Sequence, residues 1–162
     1  MIISISSSPP FDTTELAQKL AEKNGLRIID DPAPALCRGY GFQTLYDMPQ
    51  KLQGEVRERL IREHSDFVKT NNDVLLNFSV FEYLADWMRW SWSNTPTEKW
   101  EEILSVASET AQLYDQIHHV EDGKLREYDG YVWFDERNSH QLNGLLKYLY
   151  GEMNCSEKVG PR

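Results

Sequence analysis

The sequence predicts an α/β domain of three layers, with helices covering both faces of a mostly parallel sheet of four or five strands. Three observations predict it. Short apolar or β-branched runs at 1–6, 26–30, 73–78 and 116–120 have the length and composition of strands. Between them lie longer segments with apolar residues at helical spacing. Strands that alternate with helices pair in parallel and bury both faces of the sheet.

The elements follow in order. Met1 to Ser6 alternates as a buried strand does. After the turn Ser7-Ser8-Pro9-Pro10-Phe11, a helix places Leu16, Ala17, Leu20 and Ala21 on one face, and Gly25 ends it. Leu26 to Asp30 is a second strand. Asp31-Pro32-Ala33-Pro34 is expected to break any helix, because each proline lacks a donor and restricts its predecessor. Residues 35–48 then read as an irregular loop. From Pro49 to about Lys69 a long helix carries Leu52, Val56, Leu60, His64 and Phe67 on one side. Asp73 to Phe78 is apolar enough for a central strand. Helices over 79–90 and 97–113 precede the strand Gln116–Val120, and a last helix spans 138–150. Residues 1–152 form one domain on this reading, and 153–162 a loose polar tail.

Composition narrows the function classes. With 17 basic and 26 acidic residues the formal charge is -9. That charge disfavours direct binding to nucleic acid or an anionic membrane. No run approaches the roughly 20 apolar residues that span a bilayer. The N-terminus has no basic region followed by a long apolar stretch, as a secretory signal would. Cys37 and Cys155 sit in no metal or redox spacing and are expected as free thiols of a cytoplasmic protein.

At Thr13-Thr14-Glu15-Leu16-Ala17-Gln18-Lys19-Leu20-Ala21, directly after the first strand and its turn, the chain resembles P-loop small-molecule kinases. The likeness is to the AAA-like group that includes nicotinamide riboside kinases. Ile28-Ile29-Asp30-Asp31-Pro32-Ala33 resembles that group's second strand, which ends in an acidic residue followed by Pro-Ala. Asp73 to Ser79 followed by Tyr83-Leu84-Ala85 resembles its third. Leu113-Tyr114-Asp115 and Asp122-Gly123 resemble the approach to and exit from its fourth. The resemblance implies a P-loop kinase-like fold, with a carboxylate at the second strand placed near an acceptor hydroxyl.

The phosphate-binding residues of that family are missing. A working loop reads G-x-x-x-x-G-K-[ST]: glycines let the backbone wrap phosphate, the lysine reaches its oxygens, and the hydroxyl holds magnesium. Here Ser6 and Phe11 stand at the glycine positions, Asp12 at the lysine and Thr13 at the hydroxyl. A shift by one residue puts Ser7, Asp12, Thr13 and Thr14 there, which is no better. Replacing the lysine by an aspartate reverses the sign of an interaction of roughly 1–4 kcal/mol at about 4 Å. Asp12-Thr13-Thr14-Glu15 also reads as a capping box, with Asp12 at the cap. Where the family has Asp-Arg at the third strand, this chain has Asn77-Phe78. Asp30, Asp31 and Asn77 are the residual cleft. With no phosphoryl donor, Asp30 and Asp31 have no transfer to assist.

Other chemistry is thinly represented. His118 and His119 are adjacent on a strand and face opposite sides, so they cannot share a metal. Arg126 and Arg137 fall where a kinase carries its lid, with Asp122, Asp129 and Asp135 as salt-bridge partners. No metal, cofactor or catalytic residue is expected. The unusual positive signal is aromatic. Tyr83, Trp87, Trp90, Trp92 and Trp100 with Arg89 are the residue types that anchor protein interfaces. Core packing of a helical stripe is the competing account. A second group, Tyr128 to Phe134, reads as a loop lid or an extension of that surface.

The leading expectation is therefore a catalytically inactive kinase-like domain that binds a protein partner or itself. The alternatives are a small-molecule kinase or nucleotide binder with a nonstandard phosphate site, and an acidic inhibitor of a basic, nucleic-acid-handling protein.

Overall fold

The first strand occupies the middle of the sheet. The computed structural model describes residues 1–7, 11–91, 93, 95–121 and 136–160. Within these, β1 (Ile2–Ser7) is flanked by β3 (Val74–Leu76) and β4 (Gln116–Val120). Outside them lie β2 (Arg27–Ile29) and β5 (Val159–Gly160), giving the order β2-β3-β1-β4-β5 with every pair parallel. The helices are α1 (Thr14–Asn24), α2 (Ala33–Gly39), α3 (Gln50–Thr70), α4 (Val80–Ser91), α5 (Thr97–Gln112) and α6 (Glu136–Glu152). This is the three-layer α/β architecture that the alternating sequence pattern predicts.

The period of two along β1 divides the core. Ile3 and Ile5 point to the α1 face, where they pack with Ala17, Ala21, Leu26 and Leu75. The small alanines allow the helix to lie close to the sheet. Ile2 points to the opposite face and joins the larger core made with α3, α4, α5 and α6. Ser4 and Ser6 share that second face, and both are fully buried. Gly25 closes α1 at φ 67°, and its amide and that of Leu26 both return to the Ala21 carbonyl. A positive φ of this kind suits glycine.

Two local expectations are corrected. Asp31-Pro32-Ala33-Pro34 does not break a helix but starts one. Both prolines sit at the entry to α2, where an amide has no intrahelical acceptor to lose. Asp31 Oδ1 accepts the Ala33 amide at 2.8 Å and satisfies one first-turn donor. Part of the expected 35–48 loop is therefore helical, and Leu45–Asp47 forms a 3-10 turn with Thr44 and Asp47 capping each other.

The expected loose tail is the second correction. Residues 153–160 return to the sheet. Met153 and Cys155 are buried, the Cys155 amide bonds the Tyr150 carbonyl at 2.8 Å, and Val159–Gly160 pairs with β4 as the fifth strand. Polarity of the last ten residues masked two apolar anchors. Truncation after Glu152 should therefore destabilise the domain. Loss of the Met153 side chain alone costs about 2 kcal/mol, which lowers Tm by roughly 4–8 °C in a chain this size. Calorimetry of the truncated chain checks this, and an unchanged Tm contradicts it.

Candidate functional site

In open parallel sheets, ligands bind beyond the carboxyl ends of the strands where the chain reverses its direction of travel across the sheet. Here that place lies at the ends of β1 and β3. Ser7 closes β1, and Ser79 stands just before α4. Between them sits Glu82, in the first turn of α4. Glu82 Oε2 accepts the Ser79 amide at 2.6 Å, and the Ser79 hydroxyl accepts the Glu82 amide at 3.3 Å. That reciprocal pair is a capping box. The same carboxyl reaches across the cleft, where Oε1 accepts the Ser7 amide at 3.2 Å. One side chain thus joins the helix N-terminus to the end of the central strand.

Desolvation pushes the Glu82 carboxyl up to about 8, and the nearby charge of Asp31 adds to the rise. The Ser7 and Ser79 donors pull the other way without cancelling it. The remaining cleft residues satisfy one another. The Thr13 hydroxyl donates to Asn77 Oδ1 at 2.6 Å. The Tyr83 hydroxyl donates to Asp31 Oδ1. Asp30 is exposed.

The sequence places these residues unevenly. Ser6 is in the core and not at a phosphate-facing position. Thr13 and Asn77 do meet at the strand ends and Ser7 meets Glu82, while Phe11 is half-buried and Thr14 exposed. Ser8, Pro9 and Pro10 lie outside the described residues. Asp12 accepts the Thr14 amide at 3.0 Å, as a cap would, but Glu15 does not complete the expected box and pairs with Lys19 instead. Of the second and third strand residues, only Asp31 and Asn77 join the hydrogen-bonded cluster. Glu82 was missed by the sequence reading, although Ser79-Val80-Phe81-Glu82 is a legible S-x-x-E signal.

The aromatic surface is corrected in part. Tyr83 is 8% exposed and Trp87 2%, so both belong to the core. Tyr83 packs on Phe78 and His64, and Trp87 stacks on the half-buried Trp100 with centroids 5.0 Å apart. The helical stripe faces inward because α4 is sandwiched against both α3 and α5. Arg89 is half-buried and lies 5.6 Å from the Trp90 ring. Among the described residues of the group Trp90 alone is open, at 46%, and meets the exposed Tyr46 edge-on. A groove of about 450 Å3 runs beside it, lined by α3, α4, and the start of α5, with Trp87 at its base and Lys51, Glu55 and Lys99 among its polar residues. Trp92, Arg126, Asp122, Asp129, Asp135 and 128–134 fall outside the described residues, and so does the Arg137 side chain.

Both cysteines are buried, and neither is in a disulfide. His118 and His119 do face opposite sides of β4: His118 senses Lys23 of α1, whereas His119 bonds Asn143 and Tyr150 of α6. Among the described residues no three metal-ligating side chains stand together, and no helix is long and apolar enough to cross a membrane.

No family model matches the chain, and no curated protein matches its sequence. Its backbone does match a solved structure, the NadR protein in complex with NR, with a TM-score of 0.70 over 98% of this chain. The fold is P-loop kinase-like. Sequence identity to that protein is 15%, so the likeness speaks for the fold alone. This chain spans 44% of that protein's length.

The perturbed carboxyl gives a stability test. An exposed glutamate titrates near 4.5, and Glu82 in the folded chain near 8. Its folded pKa is raised, so the folded state holds the extra proton between these values. The associated stability is present in full below about 4.5 and lost as pH rises to about 8. Glu82→Gln should remove that slope. Urea unfolding of both chains at several pH values reads it out, and a constant difference between them across the window contradicts the assignment.

Proposed function

We propose that this domain has a kinase-like fold that no longer transfers phosphate and that it works as a protein-binding or regulatory module. The observation that carries the reading is the position of Glu82. Amides at the end of β1 and the start of the following helices are the donors this kind of site offers to phosphate. Here Ser7 and Ser79 give theirs to a carboxyl of the chain itself. The group occupies those donors whether ionised or not, and when ionised it repels a polyanion. The sequence adds Asp12 where a lysine would be needed and no glycine between Ser6 and Thr14.

The binding half of the reading rests on Trp90, Tyr46 and the groove beside them. An indole half open to solvent, next to an edge-on phenol and two arginines, is of the type found at interface anchors. A basic partner suits the overall charge.

A second reading has one observation in its favour. Thr13, Asp31, Asn77, Tyr83 and Glu82 gather polar groups at the strand ends, where a small-molecule binder or a kinase with a nonstandard phosphate site would hold its ligand. Two measurements separate the readings. Isothermal titration with ATP–Mg and GTP–Mg should show no binding, and micromolar affinity for either overturns the first reading. Sedimentation of the chain and of Trp90→Ala tests the surface. The variant should keep its Tm within about 1–2 °C, because exposed substitutions cost under about 0.5 kcal/mol. It should also lose any self-association that the parent chain shows. Self-association equal in both removes Trp90 from the interface.

A further inference from the structure

Arg57 is a buried cation with a donor to spare. It sits on α3 with 2% of its side chain exposed. Nε donates to Asp86 Oδ2 of α4, and Nη1 donates to Gln53 Oε1 at 3.1 Å. Nη2 is shut off from solvent and has no acceptor among the described residues. A buried N–H of a charged group is costly to leave without an acceptor. Tyr46 is near enough to feel Arg57 without bonding Nη2. Desolvation pushes its phenol up to about 12, so it stays neutral and supplies no counter-charge. The donors at Ser7 and Ser79 are taken by the chain's own carboxyl, whereas Nη2 of Arg57 is left over.

The cover over this donor is thin. The guanidinium carbon lies 5.9 Å from the centre of the Tyr46 ring and 5.9 Å from that of the Trp90 ring. The two ring centres are 6.0 Å apart. These three points form a nearly equilateral triangle, so Arg57 lies beneath the seam between the rings. Both rings are exposed, and they meet edge-on across the seam. Trp90 is in the last turn of α4, and Tyr46 is in a three-residue 3-10 turn. Parting the two rings opens the way to Nη2.

Charge around the seam selects what enters it. The Trp90 ring already has two guanidiniums beside it, Arg57 at 5.9 Å and Arg89 at 5.6 Å. A third cation is repelled by both, while a carboxylate meets the free arm of a guanidinium fork. The groove that Trp90 also lines is close to neutral. Its Glu58 pairs with Lys99 at 2.7 Å and with Arg62 at 3.1 Å, and its exposed Lys51 and Glu55 stand one turn apart on α3. With Trp87 at its base, the groove suits an apolar side chain. One indole separates groove from seam. Side chains i and i+2 of an extended segment lie on the same side, roughly 7 Å apart, and span that separation.

We infer that the Trp90 surface docks an extended acidic segment of a partner protein, with an apolar side chain in the Trp87 groove and an Asp or Glu two residues away bonding Arg57 Nη2 between the Tyr46 and Trp90 rings. The inference rests on the reading of Trp90 as a protein-binding surface and names the chemistry of what it binds. The net charge of -9 attracts a partner that is basic as a whole. The contacts at Arg57 decide which segment of that partner is seated, and they select a carboxylate.

Three acetylated and amidated tripeptides, Phe-Ala-Glu, Phe-Ala-Gln and Phe-Ala-Lys, provide the test. NMR follows the Trp90 indole N–H and the Arg57 guanidinium N–H signals as each peptide is added. The Glu peptide should shift both and bind roughly tenfold tighter than the Gln peptide, the difference a charge-assisted hydrogen bond makes. The Lys peptide should bind most weakly. Arg57→Met combined with Asp86→Leu removes both charges of the pair together, which buried pairs often tolerate. In that double variant the Glu peptide should bind no better than the Gln peptide. Equal affinity for Glu and Gln in the unmodified chain, a preference for Lys, or no shift at Trp90 with any of the three overturns the inference. So does a Glu preference that survives in the folded double variant. If that variant does not fold, the Arg57 signals decide, and binding of the Glu peptide that leaves them unmoved overturns the inference. Sedimentation of Trp90→Ala judges the broader reading separately, because it needs no acidic ligand. Loss of self-association in that variant together with equal Glu and Gln affinities sinks the acidic segment and leaves the surface standing.

Discussion

The central strand carries two serines into an apolar core, and the rest of the large face is arranged to satisfy them. β1 is covered on both sides, so no water reaches Ser4 or Ser6. A buried hydroxyl without a partner costs about 1–3 kcal/mol. Ser4 Oγ donates to the Phe78 carbonyl at 3.0 Å, which fixes the chain as it leaves β3. Ser6 Oγ holds Ser79 at the start of α4 and Tyr150 near the end of α6. Two hydroxyls thus tie three points of the chain, each more than 70 residues away in sequence, to one strand. A second buried link repeats the pattern: His64 of α3 bonds the Tyr114 hydroxyl, which accepts the Val80 amide at 3.0 Å. Burial pulls His64 down to about 3, so it enters this link uncharged.

The features that were legible in the sequence are those carried by local pattern. Alternation marked β1, and the runs at Ile28-Ile29 and Val74-Leu75-Leu76 marked its neighbours. Apolar spacing marked α1 and α3 within a residue or two of their ends. What was hidden depends on contacts between distant residues or on a small exception to a local rule. Pro32 and Pro34 looked like breakers because their position relative to the helix start was unknown. Met153 and Cys155 looked like a tail because a last stretch made mostly of polar and small residues does not reveal two anchors. The Trp87 stripe could not be told from an interface, because the same spacing serves both. Only α5 and Trp100, stacked on it, decide the question.

At the cleft, the legible part was the absence of glycine, lysine and arginine. The illegible part was the replacement. Ser79-x-x-Glu82 announces a helix cap, and nothing local says that this carboxyl also spans to Ser7. The span exists because parallel pairing brings the ends of β1 and β3 side by side. Asp31 is similar. Its acidic position after β2 was visible, but its partner Tyr83 lies 52 residues away.

Satisfaction of these groups bears on function more strongly than any missing motif. A site that binds a polar ligand holds donors or acceptors in reserve for it, and stability suffers while they wait. Here Thr13 is matched with Asn77, Asp31 with Tyr83 and the Ala33 amide, and Glu82 with the amides of Ser7 and Ser79. Each pairing removes a group that a ligand would have to win back at the cost of an internal hydrogen bond, about 1 kcal/mol apiece. A ligand competing for all of them needs a strong compensating charge, and the cleft supplies carboxyls where a phosphate needs cations. The polar groups at the strand ends hold β1, β2, α2 and α4 together.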